Sequence, residues 1–305
     1  MYVSKDDSDH ILRADRPADV FRNSIATPSL LAAIINAKYG QALPLDRQSK
    51  AFKQEGINLE TNTLSNWVIN SSDTYLSLIY NRMKQLMSDS KVIHADETPV
   101  DVMRMDGSNS GNKTYMWVYR NRPLRTSPPM VLFDWQPSRK PEHPREFLKD
   151  FNGTIVTDGY QVYHKLEKER DNLKVAGCWI HARRKYAELI KSEGKAISND
   201  SIASKAYNMI TSIMHEDNKY DDLPKKDRER NRKLTLKPMV NDYFAWIKEK
   251  YPLVAPQSAL GKALFYSINQ EQYLRLFLKD GDIPMDNNYA LYTGYFYPHL
   301  SSMIA

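Results

Sequence analysis

Apolar positions first recur at helical spacing. In "ATPSLLAAIINAKYG", residues 26–40, Thr27 can cap, Pro28 suits the first helical position and Gly40 stops the run, so a helical region is predicted from residue 27. "LPLDRQSKAFKQEGINLETNTLSNWVINSS" then predicts a short helix, a break at Glu55-Gly56, and a second helix entered through the polar caps of "ETNT", with Leu64, Trp67 and Val68 as its core side. A longer amphipathic helix follows over "DTYLSLIYNRMKQLMSDS", with Leu76, Ile79, Met83 and Met87 as its core stripe.

The pattern then shortens. "KVIHADETPVDVM", "KTYMWVYRN" and "PPMVLFDW" are β-branched and aromatic, and are separated by "DGSNSGN" and by "RNRPLRTSPP". They read as three strands joined by hairpin-like turns. A helix over "HPREFLKDF" precedes a buried strand, Thr154 to Thr157, that ends in a turn at Asp158-Gly159. "KVAGCWIHARRKYAELIKS" supplies a fifth strand passing into a helix with Ala182, Tyr186, Leu189 and Ile190 inward. From about 195 to 280 the chain is helical again, broken by "PKKDRERNRKLTLKP". The expected organisation is an irregular segment at 1–26, a helical region at 27–90, an α/β core at 91–194, helices at 195–280 and a distinct final segment at 281–305.

Composition narrows the class. The 305 residues are 41% hydrophobic, which fits a folded chain with a proper core, and 43 Lys and Arg against 37 Asp and Glu give a formal charge of +6. An excess this small is compatible with a polyanionic partner and equally with none. The single cysteine, Cys178, excludes an intramolecular disulfide and a cysteine-rich zinc module. The sequence has neither an apolar leader nor a run of eighteen apolar residues, so the expectation is a cytoplasmic protein with no membrane partner.

Two aspartates carry candidate chemistry, Asp96 in "VIHADETP" and Asp158 in "TIVTDGY". Each stands where a strand's apolar run meets polar residues, and each is also an ordinary residue for a strand end or a turn. Carboxylates brought together on neighbouring strands are costly to dehydrate without a cation and form a natural seat for a divalent metal. Magnesium or manganese prefers such oxygen ligands. Paired metal ions at such carboxylates support in-line phosphoryl transfer. Glu97 is a poor substitute ligand, because in an extended strand its side chain points to the opposite face from Asp96. "CWIH" offers too few ligands for structural zinc, and the cysteine reads as a small buried apolar group. There is no glycine-rich phosphate loop and no Gly-x-Ser-x-Gly elbow. The basic runs "HARRK" (181–185) and "KKDRERNRK" (225–233) read either as phosphate tracks or as solvated helix faces. Trp179 reads as core. The early helical pair reads either as two packed helices or as a helix-turn-helix whose second helix offers Asn62, Ser65 and Asn66 to DNA.

Taken in order, these segments resemble one family, the DDE transposases of the insertion sequence 66 group. The resemblance runs from "ATPSLLAAIINAKYGQALPLDRQSKAFKQEGINLETNTLSNWV" through "HADETPVDVM", "VTDGYQVYHKL" and "GCWIHARRKYAEL" to "SALGKALFYSINQEQYLRLFLKDGDIPMDNNYA". It implies a ribonuclease-H-like mixed sheet core, with a helix-turn-helix-like region before it and a helical insertion after it. The first two catalytic, metal-binding acids match Asp96 and Asp158. The implied activity is metal-dependent DNA strand cleavage and transfer, with Mg2+ or Mn2+ as cofactor, DNA (element ends and target) as partner and a homo-oligomer as working form. Arg183, Arg184 and Lys185 join Asn62, Ser65 and Asn66 as implied DNA contacts.

The chain departs from the family pattern at two places. It lacks the cysteine-rich module with which members usually begin, so its recognition of element ends is expected to be incomplete. The family's last motif reads Asn-Asn, a variable residue, Ala, Glu, Arg, whereas here "DNNYA" is followed by Leu291 and Tyr292, so the third catalytic acid is missing. The fifteen residues from Leu291 on contain no Lys, Arg, Asp or Glu, where a chain with 26% charged residues should carry about four. A frameshift or rearrangement after Ala290 explains that neutral tail, and Asp286 or Asp282 is not expected to replace the lost Glu. The expectation is a transposase by descent, inactive or weakly active, with weakly bound metal. The alternatives are a non-catalytic DNA-binding remnant or inhibitor of intact copies, and a ribonuclease-H-like nuclease unrelated to mobility.

Overall fold

The structure is a computed structural model that describes residues 2–3, 11–12, 19–22, 24–100, 113–121, 129–193, 198 and 200–287. The two expected strand-joining turns "DGSNSGN" and "RNRPLRTSPP", Leu291 and the neutral tail therefore fall wholly or mostly outside the described residues. The chain divides into two compact units, residues 1–79 and 80–305.

In the first unit, a two-residue antiparallel pairing joins Tyr2–Val3 to Ile11–Leu12. Helix α1, Pro28–Ile35, starts as its sequence predicts. Pro28 occupies the first position and the Thr27 hydroxyl accepts from the Leu30 amide at 3.2 Å. A wider turn over Asn36–Gly40 extends it, and the chain leaves through Ala42 at φ 54°. Helix α2, Leu45–Gln54, ends in a Schellman motif: the Ile57 amide reaches back to the Phe52 carbonyl at 2.8 Å, and that of Gly56 to Lys53 at 3.1 Å. Gly56 sits at φ +82°, where a side chain is strained, which is why the break falls there.

Helix α3, Thr61–Ser71, begins at Glu60 without a side-chain cap. The "ETNT" cap expected from sequence is therefore not formed. Instead the Ser49 hydroxyl donates to the Leu59 carbonyl at 2.6 Å and ties down the connection. Leu31, Ile34, Leu45, Leu59, Leu64, Trp67 and Val68 close the core of this unit. Helix α4 spans Ser77–Ser88. The stripe predicted along it holds only at its end. Met87 is buried and Met83 half-buried in the second unit's core, but Leu76 and Ile79 are 43% and 58% exposed. Helical spacing defines which side chains share a face, not whether anything covers them.

The second unit is built on a five-stranded mixed sheet. Its strands are β1 Val92–Val100, β2 Thr114–Asn121, β3 Val131–Gln136, β4 Gly153–Thr157 and β5 Leu173–Gly177. Their order across the sheet is β3-β2-β1-β4-β5. The first three form an antiparallel meander, while β4 and β5 run parallel to β1. Parallel neighbours need crossovers. Helix α5, Glu142–Phe147, lies in the connection from β3 to β4, and α6, Gln161–Glu169, in that from β4 to β5.

Alternation along the strands feeds two cores. One face presents Ile93, Ala95, Trp117, Tyr119, Ile155 and Val175 to α5 and α6. The other presents Val92, Val156 and Ala176 to α7, Trp179–Glu193, and to the helices that follow. Those are α8 Ile202–Asn218, α9 Lys225–Asn231, α10 Lys237–Lys250, α11 Ala259–Asn269 and the short α12 Glu271–Leu274. As expected, Ala182, Tyr186 and Leu189 of α7 point inward and Trp179 is core, its indole nitrogen donating to the Leu274 carbonyl at 2.8 Å.

The run "KKDRERNRK" is neither a phosphate track nor a solvated face throughout. Arg232 is 1% exposed, pairs with Asp217 at 2.7 Å, and donates to the carbonyls of Phe277, Asp280 and Ile283. Arg228 donates to the carbonyl of Gly281, and Lys225 pairs with Asp280 and Asp282. Half of the run's cations therefore hold the turn at 277–283 that leads into the final motif.

Candidate active site

The two sequence-predicted acids stand at matching distances beyond the last registered pair of two adjacent parallel strands, Asp96 within β1 and Asp158 just after β4. The last registered pair between β1 and β4 is His94 with Val156. Asp96 lies two residues beyond His94, on its pleat face within β1, and Asp158 lies two beyond Val156, one past the end of β4. Asp158 opens the turn after β4. Its Oδ1 accepts from the Tyr160 amide at 2.9 Å, and its carbonyl accepts from the Tyr266 hydroxyl at 2.5 Å. Gly159, at φ +95°, completes the turn, and a Cβ there would stand 3.1 Å from both the Gln270 side chain and the Tyr266 hydroxyl.

The electrostatics agree with this geometry. The Asp96 carboxyl is pushed up to about 6, first by burial and then by the charge on Asp158, against the opposing pull of the Glu97 backbone amide, Arg184 and Arg139. A buried carboxylate whose proton affinity is raised by a neighbouring carboxylate's charge marks the kind of hard, oxygen-rich site that a divalent cation relieves. Among the described residues no group of three or more His, Cys, Asp or Glu side chains is arranged to hold a metal. Asp96 and Asp158 supply hard carboxylate oxygens, the donor chemistry that suits a divalent cation.

Glu97 faces the other core, as alternation requires, opposite Trp117 in the β1–β2 register. Its side chain is only 2% exposed and binds Arg139, whose Nε approaches Oε1 at 2.9 Å. Oε2 is buried without a partner. Burial, followed by the Asp158 charge, pushes this carboxyl up to about 8 despite Arg139. Arg139 also stacks 3.8 Å over the Tyr160 ring, and the Tyr160 hydroxyl donates to the Arg139 carbonyl at 2.8 Å. Arg139 is forty-two positions from Glu97 in a Ser/Pro-containing connection, and nothing in the sequence marks the pairing.

Helix α7 carries the basic run past the acids. His181 is held below its ordinary value by burial, with Asp158 acting the other way, and its Nδ1 is buried without a partner. Arg184 is exposed and its charge reaches Asp96. Lys185 sits 4.5 Å over the Tyr266 ring, beside Asp158's turn. Arg183 instead lies 5.6 Å from the Tyr207 ring of α8, so the three consecutive cations do not share one face. In the first unit, Asn62 and Asn66 of α3 are exposed and Ser65 is half-buried, opposite Leu64, Trp67 and Val68.

A further residue at the site is Asn287. It is fully buried, its amide nitrogen Nδ2 donates to the Ala95 carbonyl at 2.8 Å, and its Oδ1 lies 3.1 Å from His94 Nδ1. Its backbone N–H donates to Cys178 Sγ at 3.2 Å, and Trp179 N donates to the Met285 carbonyl at 2.9 Å. Cys178 is a buried thiol pushed up to about 12 by that burial, in keeping with a packing role. The sequence signal for Asn287 was the Asn pair of the last motif. Its partner His94 is 193 positions away.

Comparison with known proteins places the chain among relatives. The sequence profile described as "Transposase IS66 family" matches residues 23–290. Three relatives from Sinorhizobium fredii (strain NBRC 101917 / NGR234) carry the description uncharacterized protein. One, y4jD, is 29% identical over 289 residues, which is 91% of this chain and 55% of that protein. The others, y4hP and y4qI, are each 27% identical, over 93% and 92% of this chain and 53% and 52% of their own. The chain therefore spans about half the length of these relatives. No solved structure matches it.

Proposed function

The chain belongs to the transposase IS66 family, and from that premise we propose that it is by descent a metal-dependent enzyme of DNA strand cleavage and transfer, with Asp96 and Asp158 as its surviving catalytic acids. The observation that carries the reading is the position of these two carboxylates, equally far beyond the His94–Val156 pair, with the Asp158 charge raising Asp96. The strand order β3-β2-β1-β4-β5, antiparallel and then parallel, supports a ribonuclease-H-like core.

Asp96 and Asp158 would hold Mg2+ or Mn2+, which when bound supplies charge stabilisation to in-line displacement at phosphorus. The chain's own groups do the rest. Tyr266 and the Tyr160 amide fix the Asp158 turn, and Asn287 fixes the backbone before Asp96. Arg184 and Lys185 lie on the side where a phosphodiester backbone would approach. Arg183, packed toward Tyr207, is the weakest of the three as a DNA contact. A helix-turn-helix role for α2 and α3 is supported by the Schellman break between them and by the outward Asn62 and Asn66. Element ends and target DNA are the proposed partners, the proposed working form is a homo-oligomer, and the proposed location is the cytoplasm. Among the described residues no helix is long and apolar enough to cross a membrane.

Leu291 stands where the family carries its third acid, and that favours a second reading: a DNA-binding protein with little or no cleavage. Two carboxylates with water can complete the octahedron of one magnesium ion, but without a third acid they leave a two-metal site for in-line displacement incomplete. Incubating the chain with supercoiled plasmid and Mn2+, beside Leu291→Glu and Asp96→Ala versions, separates the two readings. Little nicking by the unaltered chain and a gain in Leu291→Glu that Asp96→Ala abolishes is the expected result. Equal nicking with and without Asp96 would remove the assignment of the acids.

A further inference from the structure

We propose that Asn287 is the positioning residue of the acidic site: it pins the peptide group immediately before Asp96 and locks the neighbouring His94 ring, so that Asp96 keeps its place beside Asp158. The proposal rests on the reading of Asp96 and Asp158 as the cation-binding pair.

Registered pairing between β1 and β4 ends at His94–Val156, one residue short of the Ala95 carbonyl. That carbonyl belongs to the peptide bond joining Ala95 to Asp96. Asn287 Nδ2 donates to it at 2.8 Å, beyond the last registered pair. A carbonyl can only accept, so the Asn287 amide must present its NH2 group to Ala95 and its Oδ1 to His94. The imidazole must then donate through Nδ1 across the 3.1 Å contact, which fixes its tautomer. His94 is fully buried on the same pleat face as Asp96. One side chain thus fixes both the backbone and the side chain that flank the acid.

Asn287 is itself held at both ends of its short segment. Its backbone N–H is bound by Cys178 Sγ, and the Met285 carbonyl by Trp179 N. Upstream, Arg232 gathers the carbonyls of Phe277, Asp280 and Ile283, and Arg228 that of Gly281. The helices after the sheet therefore act as a brace that delivers Asn287 to β1. A partner that orients a metal ligand from behind typically changes metal affinity by about 10–100-fold when it is removed.

The test uses the full chain and Mn2+ alone as probe. Binding is followed by the loss of the free-ion electron paramagnetic resonance signal in the unaltered chain, Asp96→Ala and Asn287→Ala. Asp96→Ala should abolish binding, and Asn287→Ala should weaken it about 10–100-fold. Loss in Asp96→Ala with unchanged affinity in Asn287→Ala overturns the positioning role and leaves the acid assignment intact.

Two metal-free measurements judge Asn287 separately. In the unaltered chain, nitrogen-15 correlation spectra should place the His94 ring proton on Nδ1, and a ring protonated only at Nε2 overturns the proposal. In the isosteric Asn287→Asp, which keeps an acceptor for His94 but cannot donate to Ala95, amide exchange at Asp96 and Glu97 should quicken at least about tenfold, given that native-state exchange reports local opening. The comparison is a Met214→Ala control in α8, each variant being measured at the same interval below its own midpoint. Equal exchange in the two variants makes Asn287 merely structural and overturns the proposal, whether or not the chain binds Mn2+.

Discussion

The Asp158 carboxylate, two residues beyond Val156, raises the cost of charge on Asp96, two residues beyond His94 on the neighbouring parallel strand, and with burial pushes it up to about 6. Without a cation that arrangement destabilises the fold. Neutralising one member should therefore stabilise the metal-free chain. Asp158→Asn keeps the Oδ1 that accepts from Tyr160. In a chelator at pH 8 it should unfold later by about 1 kcal/mol, a rise of roughly 2 °C in Tm. Thermal unfolding with and without Mn2+ checks this, and the variant should also lose any Mn2+-induced gain.

Two buried acids on opposite faces set the pH dependence. Asp96 rises to about 6 and Glu97 to about 8, both above their ordinary values. An acid whose proton is held more tightly in the folded state stabilises the fold at low pH. That contribution is lost as pH climbs from the unfolded value through the folded one. Stability of the metal-free chain should thus fall between about pH 4 and 8. At about 1.4 kcal/mol per tenfold change in proton affinity, the Glu97 share is on the order of a few kcal/mol. Glu97→Gln should flatten the slope between pH 6 and 8, as read from denaturant unfolding at a series of pH values.

Arg232 should be among the most sensitive positions in the second unit. Arg232→Met leaves Asp217, itself only 5% exposed, without its buried partner, and strips the carbonyls of Phe277, Asp280 and Ile283 of a donor. Breaking such a pair from one side costs about 3–5 kcal/mol. Chemical denaturation measures it. A loss below about 1 kcal/mol would mean that the brace on the 277–283 turn is weak.

Gly159→Ala tests the turn that carries Asp158. Its φ of +95° strains any side chain, and the added methyl group would press on Gln270 and on the Tyr266 hydroxyl that binds the Asp158 carbonyl. A loss of about 1–3 kcal/mol is expected. Mn2+ affinity should fall with it, because the change disturbs the carboxylate's own turn.

Much of this was legible before any coordinates. β-branched runs bounded by turn residues gave the five strands in order, and the Thr27-Pro28 start of α1 follows from capping chemistry alone. Asp96 and Asp158 could be singled out because each ends an apolar run. What stayed hidden depended on distance along the chain or on cover. Glu97 meets Arg139 across forty-two residues, and Asn287 meets His94 across 193. No local pattern encodes either pair. Arg228 and Arg232 sit in a charge run that looks solvated, yet both are buried because carbonyls at a helix-linked turn needed donors. Leu76 and Ile79 follow a core period but are 43% and 58% exposed.

The central claim is that Asp96 and Asp158 share one divalent cation. Mn2+ titration followed by electron paramagnetic resonance tests it most directly, using the unaltered chain, Asp96→Ala and Asp158→Ala at pH 7.5, above the value to which Asp96 is raised. One weakly held Mn2+ per chain, lost in both variants and weakened below pH 6, is the predicted result. Mn2+ binding that survives either substitution, or no binding by the unaltered chain at any pH, would contradict it.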